Sequence, residues 1–191
     1  MPPTSFAEFA QRSGDSLERR RSTMTVIERL DDFHGLDPFF RIIEEGLRGL
    51  VEGGHFFELL AEDVLFEYII TVPGYPRRVV GRQAVAELYR PYSDTFNLHR
   101  CFDLAVHHDR ESGVVILEYA CEGHVVTTGA PYSNRFISVL TISDRRVARW
   151  RDYLDPVAVF DAIGWPAHDP APPDQANAEP ETSDEADRET H

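Results

Sequence analysis

The stretch Arg149-Trp150-Arg151-Asp152-Tyr153-Leu154 sets one carboxyl among two arginines and two aromatic rings. Alternate side chains of a β-strand face the same way, so Trp150, Asp152 and Leu154 share one side while Arg151 and Tyr153 share the other. An acid flanked by Trp150 and Leu154 on an inward face would be partly desolvated. That raises its pKa toward the range in which a carboxyl can both take and return a proton near neutrality. An equally simple reading puts Asp152 on the sheet surface, paired with Arg149 or Arg151. The local sequence leaves both open. The same parity groups Phe66 and Tyr68 with Val64 and Ile70, Tyr119 with Cys121 and Gly123, and Asn134 with Phe136 and Ser138.

Other chemistry is sparse. His55, His99, His107, His108 and His124 are scattered and form no HExxH or similar spacing. His99 precedes a strand and is expected near a pocket mouth. Asn134 could bind a ligand or orient Asp152, or serve only as a satisfied polar group at a strand start. All 19 basic residues are arginine, so lysine Schiff-base chemistry is excluded. There is no GxGxxG and no GxxxxGK[ST], so no nucleotide loop is expected. Two cysteines, Cys101 and Cys121, are too few for a disulfide framework, and each is expected to be free and buried.

The elements that must position these groups follow from the pattern. In 37–53, Phe40, Ile43, Leu47 and Leu50 form one helical stripe behind Asp37 and Pro38. A short helix at HFFELLA, a strand at DVLFEYIITV (63–72), a turn and short strand ending at Gly81, and a helix starting in RQAVAELYRPYSDTF (82–96) follow. Pro91 is expected to end or kink that helix. Strands are expected at 101–107, 113–125, 134–142 and 146–154. A last helix is capped by Asp155, begun by Pro156 and stopped by Gly164. This order implies an α+β fold, a curved antiparallel sheet wrapped around helices to form a cone with an internal pocket.

At the ends, residues 1–35 read as a polar extension and 36–165 as the domain. Residues 166–191 read as an acidic disordered tail, with eight acids and one arginine after residue 166. The net charge of −14 argues against nucleic-acid or anionic-membrane partners. No run reaches the ~18 apolar residues of a membrane helix. The first residues lack the apolar core of a signal peptide, so a cytoplasmic protein is expected.

Two segments, YSNRFISVLTISDRRVARWRDYLDPVAVFDAIG (132–164) and VLFEYIITVPGYPRRVVGRQAV (64–85), resemble SnoaL-like proteins of the ketosteroid-isomerase-like and nuclear-transport-factor-like superfamily. The resemblance covers roughly residues 36–165 and is more specific for fold than for reaction. It implies a homodimer and a pocket for a small hydrophobic carbonyl-bearing molecule. The ending resembles limonene-epoxide-hydrolase-like enzymes, whose water-activating aspartate falls on Asp152. Their other four site residues fall on Phe66, Tyr68, Tyr119 and Cys121, none of which matches, so epoxide hydrolysis is not implied. Phenazine-biosynthesis A/B proteins carry a glutamate at the stretch matching Asp152. A basic partner for a carboxylate-bearing substrate would then fall to Arg82 or Arg135.

By likeness to SnoaL-like cyclases and ketosteroid isomerase, Asp152 would move a proton next to a carbonyl without a cofactor. Tyr68 and Tyr119 would donate to the developing enolate, and Asn134 would assist. Phe66, Cys121, Phe136, Trp150, Leu154 and His99 would bind the substrate. The implied function is that of an isomerase, cyclase or dehydratase of secondary metabolism. The alternative is a non-catalytic ligand-binding or dimeric interaction protein of the same fold. A third possibility is the small subunit of an aromatic-ring dioxygenase.

Overall fold

A computed structural model describes residues 30–70 and 75–165. The expected N-terminal extension and acidic tail therefore lie largely outside the described residues. A 3₁₀ segment, Leu30–Leu36, leads into α1, Asp37–Gly46. Pro38 sits in the first turn of α1, where its missing N–H costs nothing. Phe40, Ile43 and Leu47 are buried along the expected stripe, with Leu50 partly buried beyond the helix end. The segment HFFELLA forms one 3₁₀ turn, Phe56–Leu59, and Leu60 already belongs to β1, Leu60–Tyr68.

The hairpin partner of β1 is β2, Arg78–Val80, and α2 follows at Arg82–Thr95. Pro91 lies inside α2, which continues to Thr95 without ending at the proline. The long strands are β3 (Phe96–Asp109), β4 (Val114–Val125), β5 (Pro131–Ser143) and β6 (Arg146–Leu154), with α3 at Pro156–Ile163. Asp155 caps α3 by accepting from the Val157 N–H, and Gly164 ends it at φ +100°.

The six strands form one sheet in the order β2-β1-β6-β5-β4-β3. This corrects the expected architecture in two ways. The sheet is mixed, because β1 runs parallel to β6 while every other neighbouring pair is antiparallel. It is also open, with β2 and β3 as separate edges, so no cone is closed. The physical reason lies in β2, which has only three residues and gives way directly to α2. Too little strand is left there to reach across and pair with β3. The long β3 edge carries register shifts at Leu98/Arg100 and Phe102/Ala105, irregularities that blunt an exposed edge. Gly123 sits opposite the first of these, where a Cβ would come within 2.2 Å of the Asn97 carbonyl oxygen.

One face of the sheet is covered. On β5, Tyr132, Asn134, Ser138 and Leu140 are buried, whereas Ser133, Arg135 and Ile137 are exposed. Helix α1 lies against β3 and β4, α2 against β1 and α3 against β5. Trp150 is fully buried at the centre, within ring contact of Phe39, Phe56 and Phe66. Each such aromatic contributes on the order of 1.5–3 kcal/mol through the apolar area it removes from water.

Candidate active site around Asp152

Three strands aim at one point. Asp152 on β6 stands opposite Tyr68 of β1 on one side and Ser138 of β5 on the other. It is buried, with 4% of its surface exposed. Its Oδ1 accepts two hydrogen bonds, from Ser138 Oγ at 2.7 Å and from the Trp150 indole Nε1 at 3.1 Å. Of the two orientations that the sequence leaves open, the inward one is thus adopted. Arg149 instead pairs with Glu67 at 2.7 Å on the exposed side.

Loss of solvent pushes the Asp152 carboxyl up to about 6, although the Ser138 and Trp150 hydrogen bonds pull the other way by favouring the anion. Tyr119 extends the chain, its hydroxyl 3.1 Å from Ser138 Oγ. The Ser138 hydrogen is committed to the carboxylate, so Tyr119 must be the donor to Ser138. The result is a directed chain, Tyr119 to Ser138 to Asp152 Oδ1. Among the described residues Oδ2 has no hydrogen-bond partner. It is therefore the atom left to exchange a proton.

Asp152 opens onto a cavity with a free volume of about 70 Å³, lined by Leu36, Phe39, Phe96, Leu98, Phe136, Leu154, Val159 and five of the seven tyrosines. Those five are Tyr68, Tyr75, Tyr89, Tyr92 and Tyr132. Burial holds all five hydroxyls well above the ordinary tyrosine value, so they act as neutral donors. Among the described residues no arginine or histidine lines the cavity. Arg82 donates to the Leu60 carbonyl at 3.0 Å, and Arg135 is exposed. Neither supplies the basic pocket group that a carboxylate-bearing substrate would need.

The other anticipated residues divide. Tyr68, Phe136 and Leu154 line the cavity, and Trp150 holds Asp152 from behind it. Phe66 is packed in the core against Tyr68, Tyr89 and Trp150. Tyr119 reaches the site only through Ser138. Asn134 spends its amide on the corner between β6 and α3, accepting from the Asp155 N–H at 3.0 Å and donating to the Asp155 carbonyl at 3.0 Å. It is the satisfied polar group of the simpler reading and does not touch Asp152.

The cysteines correct the sequence reading. Cys101 and Cys121 face each other across β3 and β4 and are joined as a disulfide. Alternation cannot reveal that two distant strands pair in this register. Cys121 is therefore not a free thiol contacting substrate. His99 is exposed, 2.7 Å from His124 Nδ1, and lines a separate polar groove between α1 and β3.

Sequence reasoning passed over Ser138, Tyr89, Tyr92 and Tyr75. Ser138 did carry a signal, as a hydroxyl on the inward parity between Phe136 and Leu140. Tyr89 and Tyr92, three apart on α2, share a helix face.

The chain matches the SnoaL-like domain family over residues 33–150 and belongs to that family. It is 36% identical over 107 residues to the uncharacterized protein YesE of Bacillus subtilis (strain 168), covering 56% of this chain and 73% of that one. A crystal structure of a provisionally assigned isomerase from Bacillus subtilis is similar at 30% identity and a TM-score of 0.57, covering 75% of this chain and 99% of that one. A phenazine biosynthesis-related protein from Pseudomonas aeruginosa shares the fold at 16% identity and a TM-score of 0.52, covering 87% and 99%. Among the described residues no cluster of metal-ligating side chains occurs, and no helix is long and apolar enough to cross a membrane.

Proposed function

We propose that this SnoaL-like protein is a cofactor-independent isomerase, cyclase or dehydratase. It moves a proton on the carbon next to a carbonyl of a small hydrophobic metabolite, with Asp152 as the acid/base. The observation that carries this reading is the geometry of one carboxyl. Oδ1 is fixed by two donors, while Oδ2 remains unbonded beside an apolar, tyrosine-lined cavity. A base raised to about 6 is mostly ionised at neutral pH yet returns its proton readily. The isomerase assignment of the 30%-identical Bacillus subtilis protein points the same way. A cavity of about 70 Å³ takes a reacting fragment of a few heavy atoms, and a larger ring system would require the aromatic side chains to move apart.

The same proposal includes a homodimer, for which the exposed sheet face around Ile137 is the surface on offer. It also includes a cytoplasmic setting, in which the Cys101–Cys121 bond would stand under reducing pressure. The test needs no knowledge of the natural substrate. Proton NMR in D₂O follows deuterium entry at the carbons flanking the carbonyl of cyclopentanone. Wild type is expected to accelerate exchange along a pH profile rising near 6, and D152N to lose that acceleration. Equal exchange in wild type and D152N would refute the assignment of Asp152.

A further inference from the structure

We infer that Tyr89, on α2, is the catalytic hydrogen-bond donor to the carbonyl oxygen of the substrate. The inference rests on the proton-transfer reading above and adds the group that receives the charge. It comes from following the hydroxyl hydrogens around the site. Tyr119 donates to Ser138, and Ser138 donates to Asp152. Tyr68 donates to Tyr92 at 3.2 Å, and Tyr92 is also hydrogen-bonded to Tyr75. Tyr132 accepts from Asn134 at 3.1 Å, which anchors its oxygen but leaves its own hydrogen uncommitted, and its ring lies tilted against Phe96 at 4.3 Å.

Tyr89 differs from all of these in that neither its oxygen nor its hydrogen is bonded among the described residues. It lines the cavity with 6% of its surface exposed, and its hydroxyl has no hydrogen-bond partner among the described residues. The ring is buried while the hydroxyl oxygen keeps access to the cavity, where a ligand oxygen can meet it. Its ring is fixed by Phe39, Phe40, Phe56 and Phe66, with centroids 5.6 to 6.2 Å away. Burial first, and then the charge of Asp152, hold its hydroxyl proton in place. The phenol is thus a rigid, neutral donor within the field of the base.

The step balances without a further reagent. Asp152 Oδ2 takes the proton from the carbon next to the carbonyl, and the C–H electron pair forms the enolate double bond. The carbonyl π pair moves onto oxygen, where the Tyr89 O–H bonds it and keeps its own proton. Collapse of the enolate returns the proton from Asp152 to carbon, or the enolate carbon adds to a second carbonyl of the same molecule, whose π pair moves onto its oxygen and takes the proton from Asp152.

The test uses the full chain with cyclopentenone as an infrared probe of carbonyl polarisation and cyclopentanone as the exchange substrate. Y89F retains the ring and its packing, and circular dichroism verifies its fold. In wild type the bound carbonyl stretch is expected to fall to lower frequency, and Y89F should return it to the value of an apolar solvent. Y89F should also slow exchange by about 100-fold, the cost of one lost oxyanion donor, with the pH midpoint unchanged. Y68F and Y132F should leave the frequency near that of wild type. No frequency shift in wild type, or a shift retained in Y89F and lost in Y132F, overturns the assignment. A shift lost in Y89F together with no exchange by wild type keeps Tyr89 as the carbonyl donor and removes the proposed proton transfer instead.

Discussion

Two concavities flank Leu98, which lines both, and they use opposite chemistry. The groove between α1 and β3 is rich in ionisable side chains, with His34, Asp37, Arg41, Glu45, His99 and Arg100 all exposed to water. The cavity beneath α2 holds, among the described residues, a single carboxyl surrounded by aromatic rings. By count of reactive residue types the groove is the better site. Water, however, levels its charges, because solvent screens them and keeps exposed pairs worth little. In the cavity one acid is desolvated, hydrogen-bonded through one oxygen and raised to about 6. Acid/base power follows the removal of solvent from a few groups more than the number of groups.

The comparison breaks most sharply on paired substitutions. D152N is expected to lower catalysed exchange by at least ~10³-fold, about 4 kcal/mol of transition-state stabilisation. H34A combined with H99A, which removes both histidines that line the groove, should leave exchange unchanged. The reverse pattern would move the site to the groove.

Stability gives a second contrast. The Asp152 carboxyl is raised from 3.8 to about 6 in the folded protein, so the folded state holds a proton that the unfolded chain has lost between these values. Stability from this group therefore falls as pH rises from about 4 to about 6, then stays flat. At pH 8 the buried charge costs about 3 kcal/mol, and D152N should be more stable than wild type by an amount of that order. At pH 4 the difference should nearly vanish. Denaturant melts at both pH values measure it, and equal stabilities at pH 8 would mean that the carboxyl is solvated.

The smallest effect sharpens the internal wiring of the cavity. S138A removes a donor that favours the anion, so the Asp152 midpoint should rise above 6 by about 1 unit. Y119F, one bond further out, should move it in the same direction by less. A downward shift in S138A would show that the serine favours the neutral acid.

Much of this was legible because it is local. Asp155, Pro156 and Gly164 carry their helix-end chemistry in sequence, and alternation grouped Asp152 with Trp150 and Leu154, although it left the side they face undecided. What could not be read is what long-range pairing decides. The parallel seam between β1 and β6 joins strands some 80 residues apart, and it sets Tyr68 opposite Asp152. The register of β3 on β4 joins Cys101 to Cys121, and no alternation pattern encodes that register. The cone expected from long curving strands fails for a related reason, since closure depends on β2 meeting β3 and only three residues form β2. Tyr89 was missed because a tyrosine on an amphipathic helix reads as core, and only a tally of hydroxyl partners separates it from its neighbours.

The central claim is that Asp152 is a desolvated carboxyl poised to exchange a proton. Carbon-13 NMR of protein labelled at the aspartate side-chain carboxyls, compared between wild type and D152N, reads this group alone. The account predicts one resonance, absent in D152N, titrating with a midpoint of about 6. A midpoint at or below the ordinary aspartate value of 3.8 would contradict it.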